Sequence, residues 1–196
     1  MLKTARAAIV TALATAAVFV GIQLAQSAPA HAATNIPTAP CSVSGVTDAD
    51  NALAQELSPK LKAKLSGHID GYQVSCARSV VEQVKHRGLD QRAATIALAT
   101  TIVEGNIHNY NLAVDYDSLG LYQQRPSAGW GTASQITDPA HSTDAFLDGM
   151  IKAYPHDGWK NAPVGDVAQK VQISAFPGRY QVQADDAATI SAALWG

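Results

Sequence analysis

Hydrophobic residues recur at helical spacing along most of the chain. The segment around Val80 and Val84 has apolar positions four residues apart and ends at Gly88. The segment from Gln91 to Glu104 follows the capping residue Asp90 and is apolar on nearly every side. A helix with apolar residues all round is buried inside a domain. The pattern therefore predicts a central buried helix over residues 91–104.

Three more helices are predicted in the C-terminal half. Asp138 followed by Pro139 is typical of a helix start, because proline is tolerated at the first helical position. Helical spacing also appears over residues 164–174 and over about 184–194. Strand-like alternation is scarce, so residues 107–137 are expected to form a loop or a short ribbon. The predicted fold class is a mainly α, α-rich single domain, α+β at most.

The first 32 residues have the pattern of a secretory signal peptide. Lys3 and Arg6 precede a mostly apolar stretch, and Ala30-His31-Ala32 offers the small residues that a signal peptidase needs. A membrane anchor is the alternative, but no basic flank follows the apolar run. We therefore expect residues 1–32 to be removed and the protein to be secreted.

The remaining chain divides into a linker and one domain. Residues 33–46 are rich in Ala, Pro, Ser and Thr and are expected to be a linker, which leaves residues 47–196 for a domain with a real core. Loss of Lys3 and Arg6 changes 14 basic and 16 acidic residues to 12 and 16, a net charge of −4. Nucleic acid is not an expected partner, because phosphate binding needs a basic face. No later segment is apolar and long enough to span a membrane.

Cys41 and Cys76 are the two cysteines of the chain. In an exported protein they most simply form one disulfide, which chain-entropy arithmetic values at up to about 4 kcal/mol. The alternative is a metal or redox pair, but there is no CxxC and the histidines show no metal-ligand spacing. We expect neither a metal nor a cofactor.

Glu104 is the candidate catalytic residue. A carboxyl at the end of an apolar helix is poorly solvated, and desolvation raises its pKa. A neutral carboxylic acid can donate a proton to a leaving oxygen, as cleavage of a glycosidic bond requires, and such a group contributes about 10²- to 10⁴-fold in rate. The alternative is a helix-terminal glutamate that simply reaches solvent.

The loop after Glu104 contains side chains suited to a carbohydrate. Asn106 offers donors and acceptors, and Gly120 allows close approach of a backbone to a ligand. Tyr122 and Trp130 offer apolar ring faces with a polar edge, which suit a sugar ring. Taken singly, an aromatic of this kind is more often part of a core. Together the residues favour a carbohydrate groove.

These residues resemble a known family. Glu104-Gly105 followed by Ser118-Leu119-Gly120-Leu121-Tyr122-Gln123 is similar to the pattern of lysozyme-like lytic transglycosylases, in which Glu-Ser at a helix end precedes Gly-Leu-Met-Gln. Residues 174–180 resemble that family's Ala-Tyr-Asn-Ala-Gly segment.

A closer resemblance is to the lysozyme-like domain of many actinobacterial exported and cell-wall proteins. It covers roughly residues 85–190. The stretches that carry it are 117–127, Gly129-Trp130-Gly131-Thr132, Asp138-Pro139, Gly158-Trp159 and 174–177.

The resemblance implies a lysozyme-like fold with a substrate cleft in which Glu104 is the sole general acid and base on a MurNAc–GlcNAc bond. A muramidase would use water, with Asp115 or Asp117 as a possible second carboxylate, although both are at least as typical of turns. A lytic transglycosylase would use the sugar's own 6-hydroxyl and leave a 1,6-anhydro product. The implied substrate-binding residues are Asn106, Ser118, Gly120, Tyr122, Gln123, Gln124, Trp130 and Tyr180.

The sequence departs from this pattern in two places. Gly105 stands where the family has serine, and Tyr122 stands where it has methionine. Two alternatives to an enzyme therefore stay open: a module of the same fold that binds cell-wall glycan without cutting it, and a secreted structural protein. The expected partner is the glycan strands of peptidoglycan, and the expected state is a cell-wall-associated monomer.

Overall fold

The described part of the chain, residues 36–196 of a computed structural model, is built almost entirely from helices. The predicted signal peptide, residues 1–32, lies outside the described residues. No helix among residues 36–196 combines the length and apolar character needed to cross a bilayer. The α-helices are α1 Asp48–Leu57, α2 Gly71–His86, α3 Gln91–Gly105, α4 Ala133–Ile136, α5 Pro139–Ala153, α6 Val164–Gln172, α7 Gly178–Gln181 and α8 Ala184–Trp195. Short 3-10 turns cover Pro126–Ala128 and Gly158–Lys160.

Helix α3 lies at the centre, as its apolar pattern predicts. It packs against α2, α5, α6, α7 and α8. The polar groups that it buries are satisfied locally: the hydroxyls of Thr100 and Thr101 donate to the carbonyls of Ile96 (2.9 Å) and Leu98 (3.0 Å). The buried apolar residues of α3 are Ala93, Ala94, Ile96, Ala97, Leu98, Ala99 and Ile102. The mainly α class and the central buried helix are both confirmed.

Two of the predicted helix starts are confirmed by their caps. The Asp90 side chain accepts hydrogen bonds from the backbone N–H groups of Arg92 (3.1 Å) and Ala93 (3.3 Å), which satisfies donors that have no partner inside the helix. Asp138 caps α5 in the same way, with Pro139 at the first helical position. The helices predicted over 91–104, 164–174 and 184–194 correspond to α3, α6 and α8.

Helix α1 was not predicted, although its start has a local signal. The Thr47 hydroxyl accepts from the backbone N–H of Asp50 (3.2 Å), and the Asp50 carboxylate accepts from the backbone N–H of Thr47 (2.9 Å), which is a capping box. Asp50 also accepts two hydrogen bonds from the guanidinium of Arg78, at 3.0 and 2.9 Å. This buried carboxylate therefore starts α1 and fixes it on α2.

The described part of the segment before α1, residues 36–46, contacts the helices through specific bonds. Cys41 is disulfide-bonded to Cys76 of α2, as predicted. The Tyr72 hydroxyl donates to the carbonyl of Ala39 (2.8 Å), and Thr38 forms an antiparallel bridge with Tyr110. Composition alone indicated a tether, but the disulfide and this backbone pairing hold the described end of the segment against the domain.

Residues 107–137 are mostly irregular, with little strand structure. Isolated antiparallel bridges join Tyr110 to Gly120 and Leu119 to Gln124. This agrees with the predicted loop or short ribbon. The four-residue helix α4 at its C-terminal end was not predicted.

Candidate functional site

Glu104 lies in the last turn of α3, and its carboxyl is partly buried. The phenol of Tyr180, from α7, donates a short hydrogen bond to Glu104 Oε1. The Tyr180 side chain is 0% exposed. The sequence indicated both residues, and the structure brings them together across 76 positions.

The pKa of Glu104 is raised above its usual value, and burial of the carboxyl is the main cause. The hydrogen bond from Tyr180 and the nearby amide of Gln172 oppose this shift because they stabilise the carboxylate. The positive charges of Lys64 and Arg179 oppose it as well. Burial prevails, so the protonated acid persists to a higher pH than it would in water. The arrangement can hold a proton and release it to an acceptor.

The end of α3 fixes the position of the carboxyl. Asn106 and Ile107 both adopt left-handed backbone conformations, with φ of 54° and 57°. Their N–H groups donate to the carbonyls of Ile102 and Thr101, each at 3.1 Å, which terminates the helix. The Gln73 amide donates to the Asn106 carbonyl at 2.7 Å. Asn106, predicted to bind substrate, therefore acts here as a helix cap whose side chain is partly exposed.

One side chain holds the segment before α2 against this turn, and another holds α6 against the following loop. The Lys64 ammonium donates to the carbonyls of Ile102 (3.1 Å) and Val103 (2.9 Å), the last carbonyls before Glu104. Gln172, the last residue of α6, donates from Nε2 to the carbonyl of Tyr122 (2.8 Å). Neither residue was identified from the sequence, because no local motif connects them to Glu104.

Tyr122, predicted to bind substrate, belongs to the core in this structure. Its side chain is 0% exposed. The ring stacks on Phe146 with centroids 4.9 Å apart and an interplanar angle of 16°. The hydroxyl donates to Thr143 Oγ1 at 3.2 Å, and burial raises the pKa of Tyr122. An aromatic in a polar loop suggested a ligand contact, but the ring packs on Phe146 of α5 and its hydroxyl is hydrogen-bonded to Thr143.

Three other predicted substrate-binding residues organise the loop instead. Gly120 has φ of 72°, and a Cβ added there would lie 2.3 Å from the carbonyl oxygen of Ile136. Its missing side chain thus serves packing against α4. Gln124 is 2% exposed and donates to the Ser142 carbonyl at 3.1 Å. Ser118 is also buried.

Gln123 and Trp130 remain partly accessible. The Gln123 amide donates to the carbonyl of Gly120 at 3.0 Å. The Trp130 ring lies against Gly149 of α5, where an added Cβ would meet its Cη2 at 3.8 Å, and it packs on the edge of the core. Of the predicted groove residues in the loop, these two and Asn106 are the ones that solvent reaches.

Asp117 is engaged within the loop. It accepts hydrogen bonds from Arg125 Nε (2.7 Å) and from the backbone N–H of Ser127 (2.7 Å). These contacts, led by the Arg125 guanidinium, hold the pKa of Asp117 below its usual range. The carbonyl of Asp115 accepts from the Ser118 N–H at 3.1 Å. Both residues therefore shape the turn, which is the second of the two roles considered for them.

No family model matches the chain, and no curated protein matches its sequence. Within residues 36–196, no three His, Cys, Asp or Glu side chains lie close enough together to hold a metal ion.

Proposed function

We propose that this protein is an exported, lysozyme-like enzyme that cleaves the glycan strands of peptidoglycan, with Glu104 as general acid and base. The observation that carries the proposal is a partly buried carboxyl with a raised pKa, held by the phenol of Tyr180 at the end of a buried helix. The resemblance of residues 104–123 to lytic transglycosylases supports the substrate class.

In this mechanism protonated Glu104 donates its proton to the oxygen that bridges MurNAc and GlcNAc, and the bond from that oxygen to the MurNAc anomeric carbon breaks. The resulting carboxylate then takes a proton from the group that attacks this carbon. Water gives a reducing end, and the 6-hydroxyl of the same sugar gives a 1,6-anhydro end. The second route needs one carboxylate only, and the engagement of Asp117 with Arg125 and Ser127 favours it.

A specific observation supports a second candidate, a module that binds glycan without cleaving it. Gly105 stands where the family has a serine. A Cβ added at Gly105 would lie 3.2 Å from Tyr110 Cε2. Packing by Tyr110 thus disfavours the hydroxyl that lytic transglycosylases place beside the catalytic glutamate.

The decisive experiment is a digest of purified peptidoglycan with the chain from residue 33, followed by mass analysis of the soluble products. New anhydro ends would support the transglycosylase, and new reducing ends the muramidase. Retention on the insoluble wall without new ends would support the binding module. If the protein is not retained on the wall and produces no new ends, the enzyme and the binding module are both contradicted, and a structural protein remains. Glu56→Gln, the same change at an exposed carboxylate of α1, is the matched control for Glu104→Gln.

A further inference from the structure

A cavity of about 290 Å³ lies between the end of α3, the start of α7 and the segment before α2. Val103 and Arg179, which directly precede Glu104 and Tyr180 in the chain, both contribute to its wall. The lining residues are Lys64, Val103, Arg179, Val182 and Gln183. The cavity therefore combines two cationic side chains with two valines, and the charges of both cations act on the carboxyl of Glu104.

Lys64 is held in this cavity by two of its hydrogen bonds. The ammonium has three donors, of which one goes to the Ile102 carbonyl and one to the Val103 carbonyl. One N–H remains for another acceptor. Desolvation lowers the pKa of Lys64, Glu104 partly offsets this, and Arg179 adds to it. An anion in the cavity would relieve that electrostatic cost.

Arg179 is exposed, and its position is also defined. Its guanidinium lies 4.0 Å from the centroid of the Phe176 ring, in a cation–π arrangement. Among residues 36–196, neither Arg179 nor Lys64 forms an ion pair with an acid. The two cations are thus available to a ligand from outside the described chain.

We propose that this cavity binds the carboxylate of an ether-linked lactyl substituent of the glycan, so that the site prefers an anionic strand to a neutral one. Arg179 provides a planar fork that matches a carboxylate, and Lys64 provides the remaining N–H. Val103 and Val182, the latter 66% exposed, face the carbon atoms of the substituent. This inference rests on the proposed function, because it names the class of substrate for that same site.

Binding can be measured without cleavage by using Glu104→Gln in the chain from residue 33. The probes are soluble GlcNAc–MurNAc strands with free carboxylates and the same strands with those carboxyls converted to carboxamides. Titration calorimetry at low salt is expected to show about tenfold weaker binding of the amidated strands, the size of one hydrogen bond to a charged group. The difference should shrink as salt is added.

Substitutions assign the effect to the cavity. Lys64→Gln and Arg179→Gln, each added to Glu104→Gln, are expected to weaken binding of the carboxylate strands about tenfold and to leave binding of the amidated strands unchanged. Lys64→Arg should retain most of the affinity. Lys62→Gln removes the same charge two residues away and should leave the affinity for both strands unchanged. Melting curves show whether each variant folds. If Lys64→Gln does not fold, Arg179→Gln, at an exposed position, still tests the site.

The outcomes separate the two proposals. Equal binding of both strands would overturn the carboxylate site and leave the proposed function intact. If the substitutions weaken the binding of both strands equally, the carboxylate site is also overturned, since the cations would then act through local structure. No binding of either strand would overturn the proposed function and this inference with it.

Discussion

The phenol of Tyr180 donates a hydrogen bond to the carboxyl of Glu104, and this contact joins α7 to the end of the central helix. The bond stabilises the carboxylate, so it lowers the pKa of Glu104 against the dominant effect of burial. Burial and the neighbouring carboxylate raise the pKa of Tyr180 in turn, which keeps the phenol protonated and able to donate. Tyr180 therefore acts as a positioning residue for the proposed acid.

Tyr180→Phe is expected to shift the pH dependence of cleavage toward alkaline pH. Without the phenol the carboxylate loses a donor, and the pKa of Glu104 rises further. Since the acid must be protonated, the alkaline limb of the rate profile should move up in pH. The measurement is the rate of peptidoglycan solubilisation as a function of pH, and the maximal rate is expected to fall because the carboxyl is held less firmly.

Tyr154→Phe is the matched control, because Tyr154 lies at the end of α5 under the ammonium of Lys170. It should leave the profile unchanged. A rate loss in Tyr180→Phe with an unshifted alkaline limb would show that Tyr180 does not act through the ionisation of Glu104.

Tyr122→Phe is expected to affect stability and to leave glycan binding unchanged. The substitution removes the buried hydrogen bond to Thr143, which costs about 1 kcal/mol. Chemical denaturation measures this cost, and calorimetry with glycan strands measures affinity. Weaker binding at unchanged stability would restore Tyr122 to the groove and contradict its assignment to the core.

Local signals explain which parts of the fold could be predicted. Helix α3 has its cap, its apolar run and its terminal carboxyl within a single segment, so its existence and burial follow from the sequence. Helix α1 has a comparable local signal in the capping box of Thr47 and Asp50. The attachment of residues 37–42 depends on partners such as Tyr72 and Tyr110 far along the chain, and no local pattern shows that.

The same distinction holds for the candidate site. Glu104 could be identified because its burial follows from the helix that it ends. Lys64 and Arg179 reach it from separate elements, and their proximity depends on how α7 and the segment before α2 pack on α3. Tyr122 shows the limit of a local pattern: several of its neighbours in sequence are polar, but its neighbours in space include Phe146 and Thr143.

Asp50 is expected to make stability depend on acid pH. Hydrogen bonds from Arg78 lower the pKa of Asp50 to about 2 from 3.8. A carboxyl whose pKa is lower in the folded state stabilises the protein fully when the pH is above its pKa in the unfolded state. This stabilisation is lost as the pH falls through its pKa in the folded state. The free energy of unfolding of the parent should therefore decrease between about pH 4 and pH 2, and Asp50→Asn should show a smaller decrease over that range.

At neutral pH, Asp50→Ala should cost about 3 kcal/mol, because it removes the buried partner of Arg78, leaves only the exposed Glu82 at 3.6 Å, and removes half of the capping box. Glu56→Ala in the same helix breaks an exposed pair with Lys60 and should cost less than about 1 kcal/mol. Equal costs for the two variants in urea denaturation would contradict the assigned role of Asp50.

Removal of the disulfide is expected to lower the free energy of unfolding by about 2–4 kcal/mol, because the bond links residues 35 positions apart and so restricts the unfolded chain. The Cys41→Ser, Cys76→Ser double variant should melt at a lower temperature than the oxidised parent. Reductant should lower the melting temperature of the parent and leave that of the variant unchanged. An unchanged melting temperature would mean that the hydrogen bonds of Tyr72 and Ser79 hold the N-terminal segment by themselves.

The most direct measurement is the rate at which Glu104→Gln and the parent release soluble fragments from purified peptidoglycan. Glutamine keeps the shape of the side chain and removes the proton, so the rate should fall by about 10²- to 10⁴-fold. Stability at pH 7 should not fall, because the raised pKa of Glu104 means that the folded state disfavours its ionised form. A folded Glu104→Gln protein that solubilises the wall as fast as the parent would contradict the assignment of Glu104 as the acid.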